Sequence, residues 1–74
     1  MPALHETGGY KIVMYFEDHN PPYVHVVGAD FEGLVRLEDL AVFVGTIPSK
    51  FSKQALKWIE MNRVQLLAKW NDWH

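Results

Sequence analysis

No cysteine occurs in this chain of 74 residues, and at that length the absence narrows the folds open to it. Ordering a short chain costs roughly 1.5 kcal/mol per residue, and apolar burial at about 25 cal/mol per Å² offsets this with little to spare. Small folds are usually reinforced by disulfides, metals or oligomerisation. Here disulfides are excluded, and a thiolate zinc site goes with them. An aromatic-rich core or a partner must serve instead. Phe, Tyr and Trp make up 14% of the residues, enough for such a core. The expectation is one domain over residues 1–74, with a loose start over 1–8, a sheet over 9–47 and a helical part over 48–73.

The strands are read from β-branched and aromatic runs. Tyr10 to Phe16 alternates, with Tyr10, Ile12, Met14 and Phe16 on one face and Lys11, Val13, Tyr15 and Glu17 on the other. Glu17 to Pro22 is turn chemistry, since two prolines remove two ladder donors and forbid helix. Tyr23 to Val27, ended by Gly28, is a second strand, and Phe31 to Leu37 a third. Leu40 to Ile47, bounded by Gly45 and Pro48, is either a fourth strand or a loop packed into the core.

From Ser52, a plausible N-cap, to about Asp72 neither Gly nor Pro interrupts a helical pattern. Ala55, Leu56, Ile59, Leu66, Leu67, Trp70 and Trp73 fall on one side of the helical wheel, a core-facing stripe. A break into two helices near Asn62 is the alternative to one continuous helix. The fold class expected is therefore α+β: a three- or four-stranded antiparallel meander followed by a long C-terminal helix packed on one face. Arg63 interrupts the stripe, as an arginine with a buried stem and a paired head or as an anion site at the sheet–helix junction. Met61, Val64 and Ala68 make a smaller apolar patch opposite, either scattered surface residues or half of an interface.

A net charge of −2 hides an asymmetry. Up to Ser49, Lys11 and Arg36 stand against seven acids; from Lys50 onward, five cations stand against Glu60 and Asp72. An acidic sheet is a poor grip for a phosphate backbone, which leaves the helix as the basic surface. Lys50, Lys53 and Lys57 near the helix start oppose its dipole, a placement that points to a partner or to plain solvation. The N-terminal residues lack a basic stretch followed by an apolar run, and the longest apolar run, Leu40 to Val44, is far short of the roughly 20 residues that span a bilayer. A cytoplasmic location is expected.

The most unusual segment is Asp18-His19-Asn20-Pro21-Pro22-Tyr23-Val24-His25-Val26. It resembles the signature of the domain-of-unknown-function 4160 family, small bacterial proteins whose typical run is Asp-His-x-Pro-Pro-His-Val-His-Val. Gly9-Tyr10 ahead of the first strand is similar to that family's opening, and a helix with Glu60, Asn62, Leu66-Leu67 and Trp70 to its C-terminal half. The chain departs at Tyr23, where the family commonly has His. The resemblance implies no assigned activity; members are discussed beside another small uncharacterised protein, in a pairing suggestive of toxin–antitoxin modules.

The chemistry of the segment is that of His25 and His19, since histidine changes charge near neutral pH without perturbation. Hairpin pairing sets His25 near Lys11, Val13 or Tyr15, with Tyr23 on its own face and Arg36 joining from the third strand. Such a group, with Asp18 and His19 at the end of the sheet, binds a phosphate or works by general acid–base catalysis. Alternatively, His19 ties down a proline turn and His25 is a satisfied structural residue. Tyr23 in place of the motif's middle His removes the best third metal ligand, so no metal is expected, and no cofactor. Neither a phosphate loop, a dinucleotide fingerprint, a serine elbow nor a paired-carboxylate motif is present.

Two functions from different classes follow. One is an interaction or regulatory module whose partner is a protein, either another copy of this chain or a small neighbouring protein, with Lys53, Lys57, Met61, Val64 and Ala68 as the partner surface. The other is a metal-independent ribonuclease with His25 as base, His19 as acid and Arg36 or Lys11 as phosphate clamp, or else a nucleic-acid-binding protein. No membrane partner is expected.

Overall fold

A computed structural model describes residues 3–15 and 19–73, and for Trp73 the backbone only. Five strands and two helices follow one another: β1 (Ala3–Glu6), β2 (Tyr10–Val13), β3 (Tyr23–Gly28), β4 (Glu32–Arg36), β5 (Val42–Gly45), α1 (Ser49–Met61) and α2 (Arg63–Trp73). The strands form one open sheet in sequence order, every pairing antiparallel, so β1 and β5 are its edges. The α+β antiparallel meander followed by a helical half is the architecture expected from the sequence, with five strands in place of three or four and two helices in place of one.

The strands beyond three sit at the edges. Residues 3–6, expected to be loose, pair with β2, with Leu4 the extra residue of a bulge between Ala3 and His5, whose partners Val13 and Ile12 are adjacent. Ala-Leu-His-Glu has little β-propensity of its own. The strand is held by its surroundings: Leu4 packs against the core, and the His5 ring stacks on Trp58 of α1 at 4.6 Å. Thr7 closes the hairpin, its Oγ1 accepting from the amides of Gly9 and Tyr10 while its own N–H donates to the Tyr10 carbonyl. At the other end, part of the Leu40–Ile47 segment is a true strand. Its turn is closed by paired bonds between Arg36 and the Leu40-Ala41 backbone, with Leu40 at φ +60°.

Alternation along the strands sorts the sheet into two faces. Tyr10, Ile12, Met14, Val24, Val26, Val35 and Leu37 pack against Ala55, Ile59, Leu66 and Trp70 of the helices, and all are buried. These four helical residues belong to the expected stripe; Leu56 and Leu67 are half-buried at its margin, and the Trp73 side chain lies outside the described residues. Burial raises the pKa of the Tyr10 hydroxyl, which donates to Gln54 Oε1.

The helical half differs from a single helix capped by Ser52. The first helix begins at Ser49, because the Pro48 carbonyl already accepts from the amides of Phe51 and Ser52. Proline loses nothing there, where its missing N–H would have no partner. The break falls at Asn62, whose side-chain amide donates to the Trp58 carbonyl at 2.8 Å while its backbone amide divides between Trp58 and Ile59. Asparagine competes for the backbone in this way, and φ −113°, ψ 14° there ends α1. Arg63 opens α2 and donates to the Glu38 carbonyl, tying the helix to the β4–β5 turn.

Candidate functional site

The second face of the sheet carries neither helix. Registered pairs place Val13 opposite His25, His25 opposite Leu34, Tyr23 opposite Arg36, Val27 between Lys11 and Glu32, and Val44 opposite Leu34. Residues facing one another across a ladder share a side, so these side chains make one surface. Phe43, the extra residue of a bulge on β5, joins it: its ring lies under the Arg36 guanidinium at 5.2 Å and edge-on to Tyr23 at 5.4 Å.

His25 is the centre of this surface and is only 9% exposed. Its Nδ1 meets Glu32 Oε2 at 2.7 Å. Glu32 accepts and the imidazole donates, since a carboxylate offers no proton; in the neutral ring the basic lone pair is then on Nε2. Tyr15 presents an edge to the ring at 4.6 Å and an interplanar angle of 74°, and Tyr23 tilts against it at 5.3 Å. Tyr23 in turn touches Trp70 at 5.6 Å, so the face is joined to the helical core at this end. Arg36 Nε is buried and lies 3.4 Å from Asp39 Oδ1, an ion pair without hydrogen-bond geometry.

The residues singled out by sequence therefore divide. Tyr15, Tyr23, His25 and Arg36 are brought together. Lys11 shares their face but sits opposite Val27, two positions along from the His25 register, beside an open depression of about 370 Å³ lined also by Glu6, Thr7, Gly8 and Gly9. His19 is exposed on the loop before Pro21, and no described interaction involves it. Asp18 lies outside the described residues. Arg63 is on the helical side, engaged with Glu38. Lys53, Lys57, Met61, Val64 and Ala68 are all exposed on the helices. Among the described residues no three His, Cys, Asp or Glu side chains gather as a metal site would require, and no helix is long and apolar enough to cross a membrane.

Sequence reasoning missed Glu32 and Phe43. The signal for Glu32 was present, because a short turn after Gly28 sets Glu32 opposite Val27 and diagonal to His25. Phe43 had none, since only the bulge turns it onto this face. The His25–Glu32 bond is testable by a double-mutant cycle in urea. Glu32→Gln and His25→Phe are expected to couple by about 1 kcal/mol, below the usual range for a charge-assisted bond because the carboxylate is half exposed. Strictly additive effects on the unfolding midpoints would show that the contact contributes nothing.

A family model described as Domain of unknown function (DUF4160) matches residues 9–71 of the chain. No curated protein and no solved structure matches it.

Proposed function

The chain belongs to the family described as DUF4160, domains of unknown function, and from its geometry we propose that it is a protein-interaction module. Its working surface is the helix-free face of the sheet where that face reaches β5. The observation that carries this reading is the edge strand: Val42, Phe43 and Val44 are 37, 38 and 51% exposed on a strand whose outer side has no neighbour in the sheet among the described residues. Edge strands of soluble proteins are normally blunted by charge, and apolar ones mark places where another chain is received.

Charge argues for protein over nucleic acid. Residues 40–49 hold no charged side chain; near them stand the exposed acids Glu32, Glu38 and Asp39, with Arg36 over Phe43 and Lys50 after Ser49. Three acids against Lys50 and an Arg36 already paired with Asp39 give a phosphate backbone no cationic grip, whereas an apolar protein surface needs none. In the cell this corresponds to a cytoplasmic component of a regulatory or toxin–antitoxin-like pair. The helical surface of Lys53, Lys57, Met61, Val64 and Ala68 is a second, separate place for a partner.

A stoichiometric protein recovered with the tagged chain, surviving nuclease treatment and released by Phe43→Asp, is the expected result. Recovery of RNA or DNA alone, lost on nuclease treatment, overturns it. That outcome would favour the second reading, phosphodiester cleavage with His25 as base. Its support is the 2.7 Å contact that orients the imidazole. It requires cleavage of RNA that His25→Ala abolishes while the thermal midpoint is kept.

A further inference from the structure

At the edge opposite β5 the outer place is taken by β1, and β1 is a poor match for what it covers. None of its four residues is fully buried, and the buried core begins only at Tyr10. Ala-Leu-His-Glu has little preference for a strand, and the bulge at Leu4 leaves three registered pairs with β2. The surface beneath is far more apolar. Ile12 and Val13, the partners of His5 and Ala3, are 0% exposed, and Trp58 of α1 offers a flat shelf on which the His5 ring lies at 4.6 Å and 14°.

We propose that β2 and Trp58 form a groove for an extended segment of another protein, and that β1 is its displaceable occupant within the chain. The inference goes beyond the reading of β5 and does not rest on it. The seated strand states the chemistry of the ligand. It needs a backbone that pairs antiparallel with Tyr10–Val13, an apolar side chain in the place of Leu4, and a flat ring in the place of His5. A β-branched segment with an aromatic ring over Trp58 meets each requirement better than Ala-Leu-His-Glu does.

The turn Thr7–Gly9 is where β1 swings. A Cβ on Gly8 would meet nothing within 4 Å, and the bonds that Thr7 Oγ1 makes across the turn are 3.2 Å, at the long end for hydrogen bonds. Opening there leaves the buried core in place. A competing segment binds only while the groove is open, so its apparent affinity is lowered by that fraction and rises as β1 is loosened.

NMR of the full labelled chain tests this, with a synthetic peptide of residues 1–8 carrying His5→Phe as the probe. Without peptide, the amides of residues 3–6 are expected to exchange at least tenfold faster than those of β3, at a rate that low urea leaves unchanged. Peptide is expected to shift the Trp58 indole resonance saturably, with dissociation on the order of 1 mM, and to move the amides of β1 to unfolded positions. His5→Ala in the protein removes the stack that holds β1 and is expected to tighten the peptide roughly three- to tenfold. A peptide carrying His5→Ser, which lacks the ring, is expected not to bind. Exchange of β1 together with β3, a Trp58 resonance unmoved by peptide, equal affinity of wild type and His5→Ala, or equal binding of the His5→Ser peptide each overturns the proposal. Were His5→Ala not to fold, displacement of β1 in the wild-type chain decides alone. Shifts confined to Val42–Val44 overturn it as well and favour β5 as the receiving edge. The reading of β5 fails by a different result, a protein partner that Phe43→Asp leaves bound.

Discussion

Trp70→Ala is expected to lower stability by about 3–5 kcal/mol, which for a domain of this size is most of what it has. The residue is 1% exposed and is the largest fully buried side chain, so its removal leaves a cavity between α2 and the sheet. It also joins two parts of the chain that lie far apart in sequence. Its indole Nε1 donates to Asn20 Oδ1 at 3.2 Å, and its ring rests against Tyr23. At roughly 4–8 °C per kcal/mol for a domain this small, a fall in the thermal midpoint of about 15 °C or more is expected. Trp70→Phe separates the two contributions. It keeps most of the apolar volume but leaves Asn20 without its donor, and a loss of about 1–2 kcal/mol should follow. If Trp70→Ala melted within a few degrees of wild type, the helix would not be fastened to the sheet through this residue.

That fastening bears on the unusual segment before β3. Read as a sequence, Asp-His-Asn-Pro-Pro-Tyr-Val-His-Val looks like a cluster of functional groups. In the folded chain much of it has structural work: Asn20 holds α2, Val24 and Val26 are core, and Tyr23 bridges the helix-free face and Trp70. His25 is the residue that combines burial with an acid partner. Propensity and period were enough to place β3, β4 and the core stripe of the helices, because those patterns arise from burial on one side; the first run reads too long, since β2 ends at Val13, and Phe16 and Glu17 lie outside the described residues. Propensity and period did not reach β1 and the bulge that turns Phe43 outward, because these depend on contacts with residues distant in sequence. His5 needs Trp58, and Phe43 needs Arg36 and Tyr23. The sequence left open whether the helix runs through Asn62; the break comes from the asparagine side chain bonding to the Trp58 carbonyl, a competition that periodicity does not reveal.

A second large effect is expected at Gly45, where the replacement adds only a methyl group. Gly45 has φ +71°, a backbone conformation in which an L side chain is strained by about 1 kcal/mol. A Cβ there would also stand 2.1 Å from the Glu32 carbonyl oxygen on the neighbouring strand. That oxygen belongs to backbone and cannot step aside as a side chain can, so β5 must move off β4. Gly45→Ala should therefore cost about 2–4 kcal/mol, more than strain alone. The displacement reaches the candidate site, because the carbonyl in the way belongs to the residue whose carboxylate holds His25. A chemical-shift change at the His25 ring should accompany the loss of stability, although twenty residues separate the two positions. Gly8→Ala is the control, since a Cβ there meets nothing within 4 Å, and its urea midpoint should stay near that of wild type. Equal midpoints for the two variants would mean that β5 adapts to the methyl group, and that edge would then be too pliant to present Val42, Phe43 and Val44 in a fixed register to any partner.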